Sequence, residues 1–344
     1  MNEPKIRTME EFAAISGISR PTVSKYFNDP GSVRKSTRVR IEQALEQHNY
    51  RPNIYAINQN RKLTKSIGLV VPFLVDPFFA EIARNIENLI IATGYRPILL
   101  NSQGRPEQEV ENLDNLRSFR PAGVLIAPLG RQSDKSALAA FCEEVPTVLF
   151  DSNISGLGHG FVGADNLQYA RDIVEYLCRS GEPPCFFEMQ TPANPNANKR
   201  RQSYLQTMEH LGYQPHVISV EGEGWAFEEI GYRQGLAALE KRRFETNTIL
   251  CSNDRLAIGF LAACFEKGYR VGGGPQNALR VAGMDDHPFA RFTCPPLTTV
   301  AQNYSAISSS AVESLLTLLN SGDSEVPPRR ELLFEGRLVK RTSA

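Results

Sequence analysis

From Ser66 onward short apolar runs alternate with amphipathic stretches, and no other feature restricts the fold of this chain as strongly. "IGLVV", "PILL", "GVLIA" and "TVLF" are four or five residues long and almost wholly apolar, the pattern of strands buried on both faces. Helical patterns beginning near Pro77, Arg105 and Ser133 separate them. Strands alternating with helices call for parallel pairing through right-handed crossovers, hence a doubly wound sheet. A second series, "CFFEM", "HVISV", "TILCS" and "LRVAGM", with helices near Asn196, Phe227 and Asp254, repeats the arrangement. The sequence therefore predicts an α/β body over 66–344 made of two doubly wound parallel-sheet lobes. The N-lobe is placed at about 66–164 plus 302–328, and the C-lobe at about 165–301 plus 329–344. Two such lobes form a cleft at the carboxyl ends of their strands, where sheets of this kind bind ligands.

The first 65 residues have another character. They hold twelve lysines and arginines against six aspartates and glutamates, a net of +6; with 38 of each sign in the whole chain, the remainder is at −6. A basic head on an acidic body points to a head that meets polyanion and a body that does not. Thr8-Met9-Glu10-Glu11 fits a capping box, so a helix starts there with Met9, Phe12 and Ala13 on its apolar face. Gly17 tolerates the positive φ that ends it, and Ser19 caps the next helix. Arg20 and Pro21 then fall in the first turn, where backbone N–H groups have no intrahelical partner and proline loses little.

Val23 and Phe27, four apart, face back onto Phe12 and Ala13, leaving Arg20, Ser24 and Asn28 outward with Pro21 and Lys25 beside them. This is a helix-turn-helix layout, whose second helix enters the DNA major groove. A guanidinium at Arg20 can pair bidentately with guanine; Pro21 offers only apolar contact, and Lys25 either reads a base or neutralises phosphate. A generic charged surface helix is the plainer alternative. A third helix carries Thr37, Ile41, Ala44, Leu45 and His48 on one stripe with Arg34, Lys35, Arg38 and Arg40 around it, and ends at "NYRPN". The head, 1–52, is thus small and all-α. Residues 53–65 are too few and too polar for a helix stable by itself and read as a linker that folds on binding.

Other classes find little support. Cys142, Cys178, Cys185, Cys251, Cys264 and Cys294 are scattered, fitting buried thiols better than disulfides or zinc. His48, His159, His210, His216 and His287 show no ligand spacing, and "VGGGPQ" lacks the context of a nucleotide loop, so neither metal, cofactor nor catalytic set is expected. From the polar N-terminus and the absence of long apolar runs a cytoplasmic protein is expected.

"TMEEFAAISGISRPTVSKYFNDP", "ALEQHNYRPN" and "SIGLVVPFLVDPFFAEIARNIE", followed by "TILCSNDRLAIGFL", "VAGMDDHPFARFTCPPLTTVAQ" and "GRLVKR", resemble the LacI/GalR family of bacterial transcriptional regulators in order and nearly end to end. The resemblance implies a homodimer on a pseudo-palindromic operator and a body like the periplasmic binding proteins. It implies DNA contacts at Thr8, Ser19, Arg20, Pro21, Thr22, Ser24, Lys25, Asn28, Arg34 and Thr37, and a hinge helix over Asn53 to Lys62 contacting DNA through Asn53, Ala56 and Gln59. Gln59 stands where the family usually has a leucine wedge, so hydrogen bonding to groove-edge acceptors is expected in place of a minor-groove kink. Arg34 replaces a common serine and suits a phosphate contact. Only Thr-Ser-Ala follows Arg341, without the coiled coil of tetrameric members, so a dimer is expected, with Ile82, Ile86 and Ile90 as either its seam or intramolecular core.

Residues after the strand ends suit a polyhydroxylated effector: Phe73, Asp76, Phe78, Phe79, Asp151, Arg200, Trp225, Asn253, Asp285 and Gln302. Carboxylates and a guanidinium take vicinal hydroxyls while aromatic faces stack on C–H groups. The resemblance puts effector-pocket residues at Phe79, Asp151, Arg200, Trp225, Asn253, Asp285 and Gln302, with Phe227 an alternative to Trp225 as the stacking ring. Structural roles compete: Arg200 with Asp285 as an ion pair, Asp76 and Asn253 as helix caps, Phe78 as core. The leading expectation is a repressor controlled by a sugar-like effector. A sugar-binding protein without a regulatory role, and an enzyme using two of Asp76, Asp151 and Asp285 as acid and base, are the alternatives.

Overall fold

A computed structural model of the protein describes residues 6, 8–50, 64–190, 194–274, 276–321 and 327–344, the Asn28 side chain excepted. The chain divides into two compact units, 1–64 and 65–344.

In the first unit α1 (Met9–Ser16), α2 (Arg20–Asn28) and α3 (Lys35–His48) enclose a core of Met9, Phe12, Ala13, Ile18, Val23, Val33, Ile41, Ala44 and Tyr50. The capping box forms: Glu11 N donates to Thr8 Oγ1 at 3.1 Å and Thr8 N to Glu11 Oε2 at 3.3 Å. Gly17 ends α1 at φ 62°. Ser19 occupies the N-cap of α2, but its hydroxyl pairs with Thr22 Oγ1 at 2.8 Å and caps no amide. Phe12 stacks on Tyr50 with ring centroids 4.7 Å apart, an aromatic anchor between α1 and the end of α3. Most of the expected linker, including Asn53, Ala56 and Gln59, lies outside the described residues.

The second unit opens with β1 (Ser66–Val71), α4 (Pro77–Ala92), β2 (Arg96–Asn101), α5 (Pro106–Phe119), β3 (Gly123–Ile126), α6 (Lys135–Glu144), β4 (Thr147–Phe150) and β5 (Gly160–Ala164). There follow α7 (Asn166–Ser180), β6 (Cys185–Met189), α8 (Asn196–His210), β7 (His216–Val220), α9 (Phe227–Glu240), β8 (Thr248–Cys251), α10 (Asp254–Glu266) and β9 (Arg280–Ala282). The chain closes with β10 (Thr299–Ala301), α11 (Tyr304–Asn320), β11 (Arg330–Phe334) and β12 (Arg337–Val339).

The first sheet runs β11-β5-β4-β3-β1-β2 and the second β7-β6-β8-β9, with every pair parallel, while β10 and β12 form a separate antiparallel pair. Two strands of the first sheet escape the apolar-run pattern. β5 is "GFVGA", diluted by small residues, and β11 is an edge strand whose Arg330, Glu331, Leu332 and Leu333 are all exposed. Because β11 pairs with β5, residues 330–334 belong to the first lobe, which corrects the expected allocation of 329–344 to the second. The chain therefore passes between lobes after β5, after β10 and after β11, and α11 packs on β3, β4 and β5. Ile82, Ile86 and Ile90 are completely buried in the first-lobe core, so the intramolecular role holds and they are not free to form a dimer seam.

Candidate functional site

In the head, α1 and α2 meet through Val23 and Phe27 against Phe12, so the first turn of α2 points outward. Arg20, Pro21 and Lys25 are exposed on it; Thr22 and Ser24 are half-buried. Arg20 does not project freely, because its Nε is ion-paired with Glu10 of α1. Arg34 is exposed before α3, Thr37 half-buried within it, and Thr8 is engaged in its cap. Asn28 lies in α2, its side chain outside the description, as are Asn53, Ala56 and Gln59.

In the body a cavity of about 50 Å³ lies at the carboxyl ends of both sheets. Nine of the ten residues expected there line it: Asp76, Phe78, Phe79, Asp151, Arg200, Trp225, Asn253, Asp285 and Gln302. The tenth, Phe73, stands behind the wall and stacks on Trp225, centroids 5.4 Å apart and planes 17° apart. Phe79 and Phe227 present their edges to the same indole at 5.9 Å, so Trp225 and Phe227 both belong to the aromatic wall.

Arg200 organises the polar floor. Its Nε donates to Asn166 Oδ1 at 2.8 Å, Nη1 to the Ser252 carbonyl at 2.8 Å and to Asp285 Oδ2 at 3.2 Å, and Nη2 to Asp285 Oδ1 at 2.5 Å. Gln302 Nε2 also donates to Asp285 Oδ1 at 2.7 Å, and the Tyr304 hydroxyl to the Asp285 carbonyl at 2.8 Å. The Arg200–Asp285 ion pair is thus both structural and part of the cavity wall. Asn253 combines two roles in the same way, capping α10 by accepting from Leu256 N at 2.8 Å.

Two carboxylates that line or adjoin the cavity, Asp151 and Asp254, are buried without an ion-pair partner among the described residues. Asp151, held at φ 58°, accepts from Asn196 Nδ2 at 3.1 Å and Asn194 Nδ2 at 3.4 Å, and burial pushes its carboxyl up to about 7. Asp254 accepts from Thr299 Oγ1 at 2.7 Å and His287 N at 2.8 Å; burial, reinforced by nearby Asp285, pushes it up to about 8. The contacts of Asp151 with Asn194 and Asn196 tie the first lobe to the second.

A second tie is ionic. Asp76 caps α4 by accepting from Phe78 N at 2.9 Å, while its other oxygen accepts from Arg255 Nη1 at 2.8 Å. Arg255, on α10 of the second lobe, also grips Glu228 bidentately, both bonds at 2.7 Å, and lies 5.1 Å over the Phe227 ring. Sequence reasoning missed Arg255, Asn194, Asn196 and His287. Arg255 and His287 do follow strand ends, beside the chosen Asn253 and Asp285, and that position was the available signal.

Among the described residues no cluster of His, Cys, Asp or Glu could hold a metal ion, and no helix is long and apolar enough to cross a membrane.

Residues 8–53 match the bacterial regulatory proteins of the lacI family, and residues 176–344 the periplasmic binding protein-like domain. The HTH-type transcriptional repressor PurR of Histophilus somni (strain 129Pt) is 28% identical over 320 residues, 92% of this chain and 94% of that protein. PurR of Haemophilus influenzae (strain PittEE) is 29% identical over 344 residues, 98% of each. A crystal structure of the lac repressor dimer bound to operator and the anti-inducer ONPF has a TM-score of 0.82 at 25% identity, covering 98% of this chain and 99% of that one. A head and a body matched in one order, with relatives and a solved structure aligned along almost the whole length, place the chain in the lacI family of bacterial regulatory proteins as a DNA-binding transcriptional regulator.

Proposed function

We propose that the protein is a homodimeric repressor, acting in the cytoplasm, whose operator affinity is set by a sugar or sugar derivative bound between the two lobes of its body. The observation that carries this reading is the convergence of acids, amides and aromatic faces from both lobes on one buried cavity. At about 50 Å³ it is well below the roughly 300–1,000 Å³ of an ordinary ligand pocket. A sugar therefore enters with displacement of the lobes, and the ties Asp76–Arg255 and Asp151–Asn196 are remade around it. Such a displacement changes the geometry of paired heads, and DNA affinity responds by the differential affinity of the effector for the two states, typically about 1–3 kcal/mol. On the DNA side Arg20 leaves Glu10 to read a guanine, with Pro21 and Lys25 beside it and Ser19, Thr22, Arg34 and Thr37 at the backbone.

The lac repressor structure was solved with operator and an anti-inducer, which supports a body that senses a small molecule. A sugar-binding protein without a regulatory role gives no account of the matched head. The test is selection of operator fragments from genomic DNA with the full chain, followed by anisotropy titrations with and without each compound that raises the melting temperature. A ligand at about 100 times its Kd adds about 2.7 kcal/mol of stability, readily measured. Compounds that bind the body yet leave operator affinity unchanged would refute the coupling.

A further inference from the structure

Resting on that reading, we infer that the effector is an uncharged, unphosphorylated polyhydroxyl compound, and that His287 and Gln302 select it by hydrogen bonding to its hydroxyl groups.

The charge balance of the cavity comes first. Its two guanidinium groups are already neutralised: Arg200 by Asp285, and Arg255 by Asp76 and Glu228. Asp151 and Asp254 remain as acids bonded only to amide, hydroxyl and backbone donors, although Lys199 lies close enough to Asp151 to favour its charge. A phosphate ester would bring negative charge among four carboxyl groups, and no unpaired cation lines the cavity to receive it, Lys199 lying outside that lining. An uncharged ligand meets no such barrier.

The hydrogen-bonding balance comes second. His287 lines the cavity, is 6% exposed, and accepts from Phe289 N through Nδ1 at 3.1 Å. Nδ1 therefore keeps its lone pair, and the neutral ring, favoured because burial lowers its proton affinity, carries hydrogen on Nε2. That Nε2 has no partner among the described residues. Gln302, 9% exposed, is oriented by donation from Nε2 to the Asp285 carboxylate, which leaves Oε1 as a buried acceptor likewise without a partner. An unpaired donor and an unpaired acceptor in one closed site are costly unless a ligand pairs them, and hydroxyl groups do both.

The aromatic wall points the same way. One face of Trp225 is covered by Phe73, and Phe79 and Phe227 meet the indole edge-on at 70° and 77°. No second parallel ring stands with Trp225 to sandwich a flat nucleobase; a single face suits the C–H side of a saturated ring.

The experiment titrates the full chain calorimetrically with neutral mono- and disaccharides and polyols, their phosphate esters, and free nucleobases. A neutral polyhydroxyl compound should bind, with its phosphate ester at least about 100-fold weaker. His287→Asn, whose Oδ1 can still accept from Phe289 N but which lacks the Nε2 donor, should lose roughly tenfold in affinity, as should Gln302→Leu. His287→Gln, which restores a donor at the distance of Nε2, should recover most of the loss. One deoxy analogue should lose affinity for the native protein but not for His287→Asn, a coupling that a purely structural histidine would not produce. Tighter binding by a phosphate ester or a nucleobase, with operator affinity altered, would overturn the inference while leaving an effector-controlled repressor standing. Absence of binding across the whole panel would overturn both.

Discussion

Asp76→Asn isolates the ionic tie between the lobes. Asparagine caps helices as well as aspartate does, so the bond to Phe78 N survives, and the side chain keeps its size. Arg255 keeps its bidentate partner Glu228 and is not left as an uncompensated charge. What disappears is one charge-assisted cross-lobe bond, because the amide nitrogen now faces Arg255 Nη1 donor to donor, between side chains only 9% and 13% exposed and little screened by solvent. Hydrogen bonds to charged groups contribute about 1.5–3 kcal/mol, and asparagine, its one oxygen held by Phe78 N, offers Arg255 no acceptor, so the closed arrangement should lose about 1.5–3 kcal/mol, a factor of roughly 10–150 in the closed-to-open ratio. Trp225 reports the change, being the single tryptophan of the chain and stacked on Phe73 from the other lobe. Opening the cleft exposes the indole, so emission shifts to longer wavelength and acrylamide quenching rises, with a urea midpoint close to that of the native protein. Glu228→Gln, which weakens a contact confined to the second lobe, should have a smaller effect. Unchanged emission and quenching in Asp76→Asn would show that this bond does not hold the lobes together. A urea midpoint falling in step with the fluorescence change would show that it stabilises the fold as a whole.

Other consequences can be measured independently. Arg20→Ala should relax specificity at one operator position at a cost of about 1–3 kcal/mol, and Glu10→Gln, which releases Arg20 from its pair, should raise operator affinity; unchanged preference across a substituted operator set counts against Arg20 as a reader. Arg200→Ala leaves the part-buried Asp285, its side chain 20% exposed, without its cation and should destabilise the body by at most about 3–5 kcal/mol, so loss of effector response must be read at a temperature where the variant is still folded. Asp254 and Asp151, raised to about 8 and 7, hold protons in the native state that the unfolded chain releases near pH 4. Their contribution is greatest below pH 4 and is lost as pH rises through 7 to 8, with a slope up to about 1.4 kcal/mol per pH unit for each group between about pH 5 and 7. Asp254→Asn should flatten that slope in urea titrations, and an unaltered slope would mean that Asp254 is ionised throughout.

Much of this molecule was legible because its signals are local. A capping box acts across three residues, Gly17 ends a helix through its own φ, and Val23 with Phe27 declares a face within one turn. Buried strands such as Gly123–Ile126 and Thr147–Phe150 announce themselves by continuous apolarity, and positions following the strand ends pointed to nine of the cavity-lining residues. Edge strand β11 gave no such sign, since a strand with little buried surface needs no apolar pattern. Tertiary structure alone decided the pairings. Arg255 finds Asp76 from 179 residues away, and Asp151 meets Asn196 only because a crossover brings the second sheet opposite the first. His287 looks like any isolated histidine until the fold buries it in a cavity wall with one nitrogen satisfied and the other without a partner among the described residues. Helix caps and strand apolarity follow from energies settled within a few residues, whereas charge compensation and unmet hydrogen bonds depend on which distant groups share a space closed to water.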